Sequence, residues 1–160
     1  MQLDAEPLIS VLAEKIGNTS PDIGVVGIHT GGVWVADKLA AKIGATKIGR
    51  IAVTLHRDDY AMRGLHPQKN KTEIGFDING RHILLVDDVI QSGRTIRAAI
   101  NELFDFGRPA SVKLAVLVDR GGRELPMQAD YIAITMPLDG AQKLELTNSG
   151  DDLRFEILEG

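Results

Sequence analysis

Apolar residues along this chain recur in two rhythms. Residues 23–28 (IGVVGI), 82–86 and 112–118 (VKLAVLV) are short apolar runs of strand length, and residues 47–55 alternate at Ile48, Ile51, Val53 and Leu55. A near-continuous apolar run bounded by turn residues predicts a strand covered on both faces. Helical spacing appears in between. Leu8, Ile9, Leu12 and Ile16 share one face of residues 5–16, and Ile96, Ile100, Leu103 and Phe104 share one face of residues 94–106. Residues 33–43 also read as a helix, ending at Gly44 as a C-cap. Short strands near 130–135, 142–146 and 153–158 complete the pattern.

Strands alternating with helices predict an α/β fold with a parallel sheet and right-handed crossovers. Ligands of such sheets bind outside the carboxyl ends of the strands. The loops after strands 23–28, 82–86 and 112–118 should therefore gather on one edge. Residues 56–80 (HRDDYAMRGLHPQKNKTEIGFDING) break the alternation with mixed charge, glycine and proline. A connection this long in a compact domain is usually functional or mobile, and a small hairpin fits within it.

Composition narrows the picture without deciding it. One hundred and sixty residues, 44% hydrophobic and 25% charged, suit one domain with a real core. With no cysteine, disulfides and thiolate metal sites are excluded. No apolar run approaches the roughly 20 residues needed to span a bilayer, and the acidic start MQLDAEPLIS lacks the basic region of a signal peptide. A cytoplasmic location is the expectation. The net charge of −4 is concentrated at the two ends, which leaves the middle of the chain cationic. No basic face of the kind strong nucleic-acid binders present is evident.

The candidate chemistry centres on residues 83–95, ILLVDDVIQSGRT. An apolar strand runs into two carboxylates, Asp87 and Asp88, and then into a turn of small residues that opens a helix. Either half alone is commonplace: paired acids occur in turns, and S-G-x-T caps helices. Together, at this spacing, they suit a sugar phosphate. Carboxylates accept hydrogen bonds from ribose hydroxyls, and the amides of Ser92, Gly93, Arg94 and Thr95 at a helix start wrap a phosphate. A second candidate is GIHTGG, residues 27–32, directly after a strand, where two glycines expose backbone amides. His56 and His66 belong to no metal-ligating cluster.

The 83–95 stretch resembles the phosphoribosyl pyrophosphate (PRPP) motif of type I phosphoribosyltransferases. HRDD at 56–59 resembles the Y-R-D-D that starts the hood loop of the PyrR group. Residues 116–132, VLVDRGGRELPMQADYI, are similar to its L-V-D-R-G-H-R-E-L-P-I-R-A-D-Y-I. The similarity runs from about Gly24 to Ile134. It implies a single phosphoribosyltransferase domain over residues 1–160, a twisted, mostly parallel sheet flanked by helices, with a flexible hood loop at about 56–80.

The resemblance further implies transfer of the phosphoribosyl group of PRPP to uracil, giving UMP and pyrophosphate. Asp87 and Asp88 would hold the ribose hydroxyls, and a Mg²⁺ either directly or through water. Gln91 to Thr95 would hold the 5′-phosphate, with Arg94 either on the phosphate or in solvent. Thr30, Gly31 and Gly32 would hold pyrophosphate, with Arg57 from the hood. Arg63, Lys69 and Lys71 are further cations of that loop. Asp119, Arg120 and Gly121 would line the base pocket, largely through main-chain groups, while Arg123 and Glu124 fit a tightly packed polar turn. A homodimer or larger homo-oligomer is implied.

Departures from the group's pattern shape the remaining expectations. Thr30-Gly31-Gly32 stands where T-R-G is usual, so the pyrophosphate loop lacks one cation. Gln91 stands where purine-using relatives often carry an aspartate; a glutamine cannot act as a general acid, which favours a pyrimidine. The group's second activity is nucleotide-dependent binding of pyrimidine-operon leader RNA. Here Gly122 and Gln128 replace a histidine and an arginine, and the N-terminus is acidic. Phosphate contacts need Lys or Arg, so RNA binding is expected to be weak or absent. The alternatives are a UMP-sensing RNA-binding regulator with little catalysis, and a phosphoribosyltransferase for a purine.

Overall fold

The computed structural model describes residues 2–53 and 71–159. Among these, five strands form a parallel sheet: β2 (Gly24–Ile28), β3 (Lys47–Ile51), β4 (His82–Ile90), β5 (Ser111–Asp119) and β6 (Tyr131–Thr135), in the order β3-β2-β4-β5-β6. Every neighbouring pair in it is parallel. Helices α1 (Glu6–Ile16), α2 (Gly31–Ile43) and α3 (Arg94–Phe104) complete the α/β layers.

The apolar runs are buried on both faces, as their lack of alternation requires. Side chains along a strand point to opposite faces, and β4 divides accordingly. Leu84 and Val86 join α1 and α2 in one core, whereas Ile83 and Leu85 join Ile96, Ala99 and Leu103 of α3 in the other. The sheet is thus sandwiched, with α3 alone on its face among the described helices.

The chain ends build a second sheet, of order β1-β8-β7, from β1 (Gln2–Asp4), β7 (Lys143–Ser149) and β8 (Asp152–Leu158). It is antiparallel, and it docks on the α1/α2 core through the fully buried Leu153 and Phe155 of β8. The strands expected near 142–146 and 153–158 therefore exist but lie outside the parallel sheet. Gln2–Asp4 is a strand that its polar sequence does not announce; pairing with β8 imposes it.

Three boundaries differ from the sequence expectation in a way that shapes the site. β4 continues to Ile90, so Asp87 and Asp88 lie within the strand; Asp87 pairs with Val116 and Ile90 with Asp119 across the ladder. Helix α2 begins at Gly31, because Gly31 and Gly32 wind into its first turn. Strand β3 ends at Ile51 rather than 55. Residues 54–70 lie outside the described part, and with them most of the segment 56–80, including His56, Arg57, Arg63, His66 and Lys69. Lys71 is exposed, and Glu73 forms an isolated antiparallel bridge with Arg50.

Candidate active site

Parallel topology brings three loops to one edge of the sheet: residues 29–32 after β2, 87–95 at the end of β4, and 119–127 after β5. The first two are in contact. A Cβ added to Gly32 would lie 2.6 Å from the carbonyl oxygen of Val86 and 3.1 Å from Asp87 Oδ1. One added to Gly31 would lie 2.8 Å from Asp88 Cγ and would collide with its carboxylate. The Asp88 carboxylate leaves no room for a side chain at Gly31, and the β4 backbone at Val86 and Asp87 leaves little at Gly32. The position where the resemblance puts an arginine is filled by the Asp88 carboxylate.

The pair itself is electrostatically tense. Asp87 is 6% exposed, and burial, reinforced by the charge of Asp88, pushes its carboxyl well above the usual carboxylate range. Its Oδ1 accepts the N–H of Asp88 at 2.9 Å, and Asp88 Oδ1 accepts that of Val89 at 2.9 Å. Among the described residues neither carboxylate has a cationic partner. Such a pair is completed by hydroxyl donors or by a cation. Mg²⁺ fits this donor set, since it takes one or two carboxylates and draws its other ligands from substrate phosphates and water. No cluster of three or more His, Cys, Asp or Glu able to hold a metal occurs among the described residues.

The loop after β4 gathers backbone donors at the start of a helix. Gly93 caps α3 with φ of 92°, a left-handed conformation that a side chain resists. A Cβ there would also lie 3.0 Å from Met127 Cβ. The N–H of Arg94 is taken by Ser92 Oγ at 3.1 Å, while those of Ser92, Gly93 and Thr95 donate to no described residue. Helices α2 and α3 carry no acid in their first turns, whereas α1, remote from this edge, carries Glu6. Without an acid there, the positive ends of α2 and α3 stay available to a bound anion. A cavity of about 360 Å³ opens here, lined by residues 89–96 together with Arg120 and Leu144.

The loop after β5 is tied down tightly. Asp119 accepts the N–H of Gly121 at 3.0 Å and an N–H of Arg123 at 2.7 Å, and the Arg123 guanidinium, first, then the Gly121 N–H hold its carboxyl below the usual range. Arg120 is 5% exposed, and its Nη2 donates to the carbonyls of Asp139 and Gln142, each at 2.8 Å. Its own N–H and C=O bond Ile90 and Leu138. Arg120 thus braces the segment leading into β7, and its main chain is already engaged. Arg94 is likewise occupied: Nε and Nη2 both reach Glu124 Oε1 at 2.9 Å.

Beside the 29–32 loop, burial, then the nearby Arg50 charge, lower the pKa of His29, with Glu73 opposing. The His29–Thr30 peptide is cis. Sequence reasoning missed Leu144 as a cavity wall, since nothing local says where a C-terminal strand docks. It also missed that Arg123 touches the Gln91 carbonyl, at 2.9 Å.

A family model described as the phosphoribosyl transferase domain matches residues 3–142. The Bifunctional protein PyrR of Ralstonia nicotianae is 50% identical over 155 residues, covering 94% of this chain and 89% of the relative. The chain belongs to the phosphoribosyltransferase family, in its PyrR group. The Bifunctional protein PyrR of Nitrosococcus oceani is 47% identical over 136 residues, covering 83% of this chain and 76% of the relative. Among solved structures, a hypoxanthine-guanine phosphoribosyltransferase from Bacillus anthracis aligns with a TM-score of 0.67 at 24% identity, over 86% of this chain and 84% of that one. A purine phosphoribosyltransferase from Pyrococcus horikoshii aligns with a TM-score of 0.61 at 22% identity, over 82% of each. These two likenesses bear on the fold. The phosphoribosyltransferase fold expected from the sequence is the one observed, and the protein is a transferase of this family.

Proposed function

We propose that the protein transfers the phosphoribosyl group of PRPP to uracil, giving UMP and pyrophosphate. The bond from ribose C1 to pyrophosphate breaks, a C1–N1 bond to uracil forms, and the N1 proton is lost. The observation that carries this reading is the contact between the Gly31-Gly32 turn and the Asp87–Asp88 pair, beside an open ring of amides at Ser92, Gly93 and Thr95. Asp87 and Asp88 orient the ribose hydroxyls. Residues 91–95 bind the 5′-phosphate, and the Thr30 to Gly32 turn binds the leaving pyrophosphate. Arg57 would add a cation from the hood.

The reaction needs no protein nucleophile. Carbon 1 gains oxocarbenium character as pyrophosphate departs, so the residues must hold both ends of PRPP, complement the departing charge and exclude water. Mg²⁺ would be held by Asp87 and Asp88, directly or through water, and would offset the negative charge of the leaving pyrophosphate. The base sits toward the loop after β5. With the Asp119 carboxylate, the Arg120 Nη2 and the Arg120 main chain internally bonded, shape and the remaining main-chain groups near Gly121 would do more of the reading than those groups. Gln91 supports a pyrimidine, because its amide can hydrogen-bond a purine ring nitrogen but cannot protonate it as a general acid.

Incubation with PRPP, Mg²⁺ and each base in turn tests the assignment. Pyrophosphate release with uracil alone is expected; release only with a purine overturns it. A regulatory reading is favoured by the relatives' designation as bifunctional. Gly122 and Gln128 argue for weak RNA binding. A gel-shift titration with the protein's own operon leader, with and without UMP, decides this point; nanomolar, UMP-dependent binding contradicts it. Homo-oligomerisation, proposed from the family resemblance, is read from the solution mass.

A further inference from the structure

We propose that Arg123 is a positioning residue: it buckles the loop after β5 onto the phosphate loop and thereby aims the amides that receive the sugar phosphate. The inference rests on the reading of residues 91–95 as a phosphate cradle. Arg123 spans two loops with one planar group. Its Nη2 donates to Asp119 Oδ2 at 2.7 Å, and its Nη1 donates to the Gln91 carbonyl at 2.9 Å. Asp119 is itself fixed, as the last residue of β5 and by the N–H of Gly121.

The next carbonyl is held from the same side. Ser92 C=O accepts the N–H groups of Glu124 at 2.9 Å and Leu125 at 3.0 Å. A trans peptide is planar, and its N–H points opposite to its C=O. Turning the Gln91 and Ser92 carbonyls toward residues 123–125 therefore turns the N–H groups of Ser92 and Gly93 the other way. Those are amides that donate to no described residue. The buckle thus fixes the direction of the donors at a distance from the ligand. Two close packings confine it further: a Cβ at Gly122 would lie 3.3 Å from Gln91 Cγ, and one at Gly93 would lie 3.0 Å from Met127 Cβ.

Arginine suits this task because its fork bonds two acceptors at fixed angles, whereas a lysine ammonium is a point charge. Arg123 also holds Asp119 ionised, so the buckle stays charged on both sides at neutral pH.

The test compares Arg123→Met and Arg123→Lys with the wild type. UMP affinity is measured by calorimetry across pH, and melting temperature is measured without ligand. Losing a charge-assisted bond that orders two donors should weaken UMP about tenfold or more in Arg123→Met. Arg123→Lys should fall between, since it keeps the charge at Asp119 and loses the bridge. The affinity advantage of the wild type over Arg123→Met should shrink on acidification, because protonating Asp119 releases a bridge that only the wild type has. Affinity within twofold of wild type in Arg123→Met overturns the proposal. So does a lysine variant as weak as the methionine one together with a wild-type advantage that is the same at every pH, which marks a merely structural role. Should Arg123→Met not fold, Arg123→Lys decides alone, and affinity within twofold overturns the proposal. A wild-type protein that binds no UMP refutes the phosphate-cradle reading itself.

Discussion

At the scale of single residues, the proposed site stores instability in its acidic pair. Asp87 is a buried carboxyl whose native pKa is raised, so the folded state holds its proton more tightly than the unfolded chain does. Its contribution to stability is full below the unfolded carboxyl value of about 3.9 and is lost as pH rises through the raised native value. Asp87→Asn removes that dependence. It should raise the melting temperature of the unliganded protein at neutral pH, with the gain shrinking on acidification, and a series of thermal melts against pH checks this. The same variant should lower turnover of PRPP about a hundredfold, because a misplaced ribose forfeits the geometry of the reaction. Wild-type turnover would contradict the site. Gly31 carries a complementary expectation. A Cβ there collides with the Asp88 carboxylate, so Gly31→Ala should cost roughly 1–3 kcal/mol of stability by overpacking and weaken PRPP binding, measured by denaturant unfolding and calorimetry.

At the scale of elements, α3 and β8 show how much of the chain was legible. The apolar rhythm locates α3, β2, β4 and β5 well, because burial on a helix face or on both faces of a sheet leaves a local imprint. The boundaries that matter chemically were less visible. Asp87 and Asp88 lie within β4 because the ladder to β5 continues past the apolar run, and no local pattern encodes a ladder partner. The engagement of Arg94 by Glu124 and of Arg123 by Gln91 is equally non-local, as each joins loops about 30 residues apart. The placement of β8 follows from Phe155, which lies in the α1/α2 core. Phe155→Ala should cost about 3–5 kcal/mol in denaturant unfolding and leave the UMP affinity of the folded protein unchanged. Gly93 couples element to site. At φ of 92° and against Met127, Gly93→Ala should cost about 1–2 kcal/mol in backbone strain and weaken UMP binding, which calorimetry reads.

At the scale of the whole molecule, parallel topology does the gathering. Three loops that are far apart in sequence meet because three parallel strands end on one edge. Two helices then present positive ends there, with no acid in their first turns to neutralise them. The identity of the family was legible in residues 83–132, whose motifs carry the resemblance, while the terminal sheet and the brace through Arg120 emerged only in three dimensions. No helix among the described residues is long and apolar enough to cross a membrane. The central claim is that this edge grips a ribose phosphate between an acidic pair and a ring of amides. A crystal structure with bound UMP tests it most directly. The phosphate should lie within hydrogen-bond distance of the amides of Ser92, Gly93 and Thr95, with the ribose hydroxyls on Asp87 and Asp88. A nucleotide bound elsewhere, with this edge empty, would contradict it.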